Sequence, residues 1–306
     1  MEAHNSMTDL VTLPWLENRF LDLVALQRQN KLPHALLVKG PSGIGIESLA
    51  RQLALSLLCD QVTDSGRCGQ CKACQLVDAN THPDFLTIQL EDNAKALKID
   101  QIRKLNEFAN KTAQQGGNKL AIIDPADQMN VNAANALLKN LEEPAPGTFM
   151  ILVTSRFESM LATIKSRCRI VDLPKPNPEA ALAWLHSQQV EEPDQLLSLA
   201  NGAPIAAKQL QGSDRLATRD QMLTDLSQLM QGTGSPVEIA QKWQKLEVLD
   251  VFHWLSLWVC DLDRMKSSGG LVANQDPKVG KILKFTASKA NDASIFDLTD
   301  YILSVR

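Results

Sequence analysis

An apolar run, Ala35-Leu36-Leu37-Val38, leads straight into Gly40-Pro41-Ser42-Gly43-Ile44-Gly45, and the residues after it, Glu47 to Leu58, repeat at helical spacing. A buried strand, a glycine turn and a helix in that order constrain the fold more than any other feature of the chain. Further strands are predicted at Phe85–Leu90, Leu120–Ile123, Phe149–Thr154 and Arg169–Leu173, with helices at Ile99–Thr112 and Asn132–Leu141 between them and one at Trp15–Asn30 ahead of them. Alternation of this kind makes a parallel α/β sheet covered on both faces.

The glycines match the spacing of the phosphate loop G-x-x-x-x-G-K-[ST], in which backbone N–H groups cradle phosphates and the lysine reaches the outer ones. Here the two positions after Gly45 are Ile46 and Glu47. Isoleucine neutralises no phosphate charge, and glutamate in place of the metal-binding hydroxyl adds a negative charge beside a polyphosphate. A second loss lies at Leu120-Ala121-Ile122-Ile123-Asp124-Pro125: the strand ends in an acid, but proline comes next where many ATPases carry the glutamate that activates water. Each segment alone reads as an ordinary turn. Both together in one alternating domain point to a relic ATPase domain with no bound nucleotide expected.

Cys59, Cys68, Cys71 and Cys74 form C-x8-C-x2-C-x2-C. Two-residue gaps turn successive thiolates toward one ion, and four sulfurs satisfy tetrahedral zinc with no position left for water or substrate, so the site is structural. Unrelated free cysteines rarely cluster this way. The bacterial iron–sulfur run carries a Cys-Pro pair that this chain lacks. Cys168 and Cys260 stand alone and read as packing residues.

The run Leu173-Pro174-Lys175-Pro176-Asn177-Pro178 continues neither helix nor sheet and marks a linker, with Asn177 as N-cap and Pro178 in the first turn of the next helix. The expected division is residues 1–173 for the α/β domain with its cysteine module at 59–74, 174–212 for a small helical domain, and 213–306 for a helical tail. Inside the tail Gly232–Pro236 reads as a loop, and Val251, Trp254, Leu255, Trp258, Leu262 and Met265 share one helix face. That stripe is either a contact with partner subunits or the core of the tail. A net charge of -4 lacks the basic excess of a protein that holds nucleic acid by itself. The start, Met1 to Trp15, shows no basic segment followed by an apolar stretch, which reads as an unexported cytoplasmic chain with no membrane contact.

Several runs resemble the delta-prime family of the bacterial DNA polymerase III clamp loader: Leu32-Pro33-His34-Ala35-Leu36-Leu37, the four cysteines, Thr81-His82-Pro83-Asp84, Asn135-Ala136-Leu137-Leu138-Lys139-Asn140-Leu141-Glu142-Glu143-Pro144, and Ser166-Arg167-Cys168. The resemblance is dense over about residues 30–175 and in the last third extends only to helical character. Its zinc cluster and asparagine-to-proline run are shared with the ATPase subunits tau and gamma; the ruined phosphate loop separates delta-prime from them. The resemblance implies an AAA+ domain, a lid and a collar that joins a five-subunit ring with tau or gamma and delta. That ring is a component of a DNA-directed DNA polymerase (nucleotidyltransferase) holoenzyme and places a sliding clamp on primed DNA. It also implies that Arg167 is an arginine finger reaching a neighbour's ATP site, that Thr154-Ser155 stands at the polar sensor, and that Ile205 replaces a second sensor arginine. Two rival readings are a weakly active P-loop ATPase, opposed by Ile46 and Pro125, and a zinc-containing nucleic-acid module, opposed by the acidic balance.

Overall fold

Apolar runs of four or more residues, separated by helices, can pair only as parallel strands, and that is the sheet that forms. The computed structural model describes residues 13–91, 94, 96–267 and 276–305, so most of the Met1–Trp15 start lies outside the described residues. Its strands are β1 (Ala35–Lys39), β2 (Phe85–Ile88), β3 (Lys119–Ile123), β4 (Thr148–Thr154) and β5 (Arg169–Asp172), in the order β2-β3-β4-β1-β5 with every pair parallel. In register, Leu37 faces Leu152 on one side and Ile170 on the other, and Ala121 faces Met150.

Helices α1 (Pro14–Arg28), α2 (Ile46–Leu58), α3 (Lys72–Asp78), α4 (Ile99–Ala109), α5 (Val131–Glu142) and α6 (Ala162–Lys165) accompany the sheet. The central strands β1, β4 and β3 are buried along almost their whole length, which is why they read as unbroken apolar runs rather than alternating ones. One face of the core joins Leu37, Ile123 and Leu152 to Ile102 and Leu105 of α4 and to Leu137 and Leu141 of α5. The expected strand and helix positions match the observed elements to within about three residues. β2 stops at Ile88, two residues short of Leu90, and α4 stops at Ala109, where the N–H of Asn110 bonds to the Asn106 carbonyl and that of Lys111 to the Phe108 carbonyl.

Residues that resemble the family hold this frame. Asp84 is buried and accepts the N–H groups of Gln114 and Gln115, both at 2.9 Å, fixing the loop that enters β3. Asn140 is buried and donates to Asn106 Oδ1 at 2.8 Å, while Asn106 donates to the carbonyl of Ala136 at 2.8 Å, tying α5 to α4. Asn177 Oδ1 accepts the N–H groups of Glu179 (2.7 Å) and Ala180 (3.2 Å), the cap expected for the helix α7 (Pro178–Ser187).

The chain divides into two compact units, one running through Trp184 and including Gly202–Ala206, the other made of Leu185–Asn201 and Ala207 onward. The rest of the described chain is helical: α8 (Pro193–Leu199), α9 (Pro204–Leu210), α10 (Asp214–Met230), α11 (Pro236–Trp243), α12 (Val248–Ser267), α13 (Pro277–Lys289) and α14 (Asp292–Val305). The α12 stripe resolves in favour of core. Trp254, Trp258, Leu262 and Met265 are buried within the second unit, and only Val251 and Leu255 keep partial exposure. Trp254 Nε1 donates to the carbonyl of Arg215 at 3.1 Å, and the buried Arg219 guanidinium lies 5.8 Å from the Trp254 ring and pairs with Asp276. No described helix is long and apolar enough to cross a membrane.

Candidate functional site

In a parallel sheet the carboxyl ends of adjacent strands share one edge, and loops there build sites. The glycine loop after β1, Asp124 after β3 and Thr154 at the end of β4 therefore meet, and Gly40 N–H bonds to the carbonyl of Thr154 at 3.3 Å. Gly43 and Gly45 sit at φ +79° and +93°, a left-handed backbone that favours glycine.

The side chains against Gly43 and Gly45 are apolar. A side chain at Gly43 would meet Ala206 Cβ at 2.6 Å, and one at Gly45 would strike Leu13, with Ile205 at 3.2 Å. Ile205 N–H donates to the Gly43 carbonyl at 2.9 Å, and Trp15 Nε1 donates to the Ile44 carbonyl at 2.8 Å. Ile44 and Ile46 are buried at 0% and 1% exposure, so Ile46 serves the core rather than a ligand. Ile205 meets the loop through both its N–H, at Gly43, and its side chain, at Gly45.

The carboxyl groups here repel one another. Burial, joined by the negative charges of Glu47 and Asp127, pushes the Asp124 carboxyl up to about 7. Glu47 keeps an exposed flank, yet desolvation of its carboxyl raises it above its ordinary value as well. Nothing in the sequence pattern singles out Asp127; its side chain is 2% exposed and accepts Thr154 Oγ1 at 2.7 Å and Arg156 Nε at 2.9 Å. Thr154 is thus already bonded within its own chain, while Ser155 is exposed.

Arg167 does not stand free. Its Nε donates to Glu142 Oε1 at 2.6 Å, and Nη1 donates to the Thr163 carbonyl at 3.0 Å and to Ser166 Oγ at 3.3 Å. The pair is open to solvent, with the arginine side chain 33% and the glutamate 48% exposed. An ion pair this exposed contributes about 0–1 kcal/mol, so it is easily exchanged for another partner.

The four cysteines converge. One sulfur from each of Cys59, Cys68, Cys71 and Cys74 lies within 4.8 Å of all the others, and Cys59 Sγ is 3.8 Å from Cys71 Sγ. Sulfurs about 2.3 Å from a tetrahedral ion are themselves about 3.8 Å apart, so the set fits a metal such as zinc. Backbone N–H groups already point at these sulfurs: Cys68 N to Cys59 (3.2 Å), Cys71 N to Cys68 (3.3 Å) and Cys74 N to Cys71 (3.4 Å). Amides of Gln70 and Cys71 lower the Cys68 thiol to about 6, whereas burial raises Cys59 and Cys74, whose thiolates need a cation beside them. Cys168 and Cys260 are half-buried rather than buried, and burial lifts the Cys168 thiol to about 12, far from a reactive thiolate.

The profile of the family described as DNA polymerase III, delta subunit, matches residues 16–177, and that of its C-terminal region matches residues 213–306. A DNA polymerase III subunit delta-prime from Pseudomonas aeruginosa is 35% identical over 277 residues, covering 89% of this chain and 84% of that protein. The chain belongs to the DNA polymerase III delta-prime family. The Escherichia coli delta-prime subunit is 34% identical over 266 residues, covering 86% and 79%. A gamma-subunit-related protein of Thermotoga maritima superposes at a TM-score of 0.42 with 20% identity, covering 92% of this chain and 97% of that one.

In this delta-prime chain the acid after β3 carries a testable cost. The unfolded chain releases the Asp124 proton near the ordinary carboxylate value, so between about pH 4 and pH 7 the folded state binds more protons and stability falls as pH rises. Asp124→Asn is expected to stabilise the protein by about 2–4 kcal/mol at about pH 8 and by much less at about pH 4.5. Calorimetric melts at both pH values check this; an equal effect at the two would contradict the assigned cause.

Proposed function

We propose that this chain is a non-hydrolysing delta-prime subunit of a DNA polymerase III clamp loader, assembling with the tau or gamma ATPase subunits and delta to place the sliding clamp on primed DNA in the cytoplasm. The observation that carries the absence of ATP chemistry is the glycine loop: Ile46 is buried, Glu47 stands where a hydroxyl is needed, and Leu13, Ile205 and Ala206 press on the glycines. Residues 1–173 serve as the AAA+ domain, 174–212 as the lid and 213–306 as the collar. Magnesium-ATP titrated into the purified chain is expected to give no measurable binding; tight, magnesium-dependent binding would restore the rival reading of a weakly active ATPase.

Cys59, Cys68, Cys71 and Cys74 hold one structural zinc ion in this reading. Four sulfurs leave no place for substrate, so the ion supports the fold of the module between α2 and β2. Elemental analysis should give one zinc per chain, lost when Cys71 and Cys74 are both replaced by serine. Iron, or zinc retained by that variant, would count against the site.

Arg167 acts as the arginine finger, leaving Glu142 to meet charge developing on a neighbour's phosphates. Its exposure and the weakness of its present ion pair support the exchange. The rival is that the Glu142 pair is its whole role. In a reconstituted loader, Arg167→Ala is expected to slow clamp- and DNA-stimulated hydrolysis at the adjacent site by roughly tenfold or more, with assembly and melting temperature nearly unchanged. Lost thermal stability with normal turnover would leave only the ion pair.

A further inference from the structure

α13 lies against α10 and α12 with Val279, Ile282 and Leu283 buried. Its other side is open. There Lys278, Lys281, Lys284, Phe285 and Lys289 follow one another at helical spacing, all exposed, and the Phe285 ring is 40% exposed. No Asp or Glu lies within α13, and among the described residues none of these four lysine ammonium groups is in an ion pair. Asp276, which caps the helix, is already held by Arg219.

Such a face is costly when bare. Residues three or four apart are neighbours on a helix, so Lys278 and Lys281, and Lys281 and Lys284, repel each other. Phe285 sets a large apolar ring in water among them, with Lys281 one turn before it and Lys289 one turn after. A polyanion removes the first cost and a flat partner removes the second. A strand of nucleic acid supplies both, phosphates for the lysines and an unpaired base for the ring. An acidic peptide brings carboxylates but no flat face, and a duplex keeps its bases stacked on one another.

We propose that this face of α13 binds single-stranded nucleic acid, the lysines tracking successive phosphates and Phe285 stacking on one base. The chain as a whole carries a net charge of -4, which weakens contact elsewhere and confines binding to this face. Binding here involves neither the glycine loop nor Arg167, and it is read on the chain alone, apart from any loader.

Fluorescence anisotropy on the full chain tests this, with a labelled oligothymidylate of about 20 nucleotides as probe. Binding is expected at low salt, with log K falling against log salt at a slope of about −2 to −3, the counterion release of three or four phosphates. An abasic strand of equal length carries the same charge without bases and should bind about fivefold more weakly or worse. Phe285→Ala should reproduce that loss on oligothymidylate and leave the abasic affinity unchanged. Replacing Lys281 and Lys284 together by glutamine should make the salt slope shallower by about 1.4. No binding at low salt, equal binding of the abasic strand, competition by polyglutamate as strong as by unlabelled oligothymidylate, or an unchanged slope in the lysine variant would overturn the proposal. The comparison of the two strands on the unaltered chain needs no variant to fold.

Discussion

The seal over the glycine loop is the contact on which the first unit depends. The N–H groups of Ile205 and Ala206 both reach the Gly43 carbonyl, Trp15 Nε1 holds the Ile44 carbonyl, and Leu13, Ile205 and Ala206 supply the apolar lining. The left-handed backbone and missing side chains of Gly43 and Gly45 make room for protein atoms. A glycine turn with the spacing of a phosphate loop can therefore be required by packing alone.

Charge is handled in opposite ways at the two ends of α2. At its start, Asp124, Glu47 and Asp127 crowd together, and Asp124 answers by holding its proton; Asp127 answers by taking Thr154 and Arg156 as partners. Past its end, four thiols share a small volume with amide N–H groups aimed at their sulfurs, and a bound cation is the simplest way to let them ionise together. The first cluster avoids charge, whereas the second gathers it.

Much of this was legible in the sequence. Strand positions followed from apolar runs because the central strands are buried on both faces, and the cysteine spacing needed only local geometry to predict convergence. The α12 stripe was equally plain, but periodicity reveals a face and not the atoms that cover it; Trp254 is met by Arg215 and Arg219 of α10. Glu142 beside Arg167, Asp127 beside Arg156, and Leu13 and Ala206 over the glycines are pairings across long stretches of chain. No window of sequence contains both members, so these had to wait for the fold.

The burial of Ile46 limits what a substitution there can achieve. A lysine there would set an ammonium in a site 1% exposed, beneath a loop held by hydrophobic neighbours, before any phosphate could reach it. Recovering the hydroxyl at Glu47 alone would change nothing at that buried position. Each such change is disfavoured until the others have been made, so no single substitution turns this buried turn into a phosphate site.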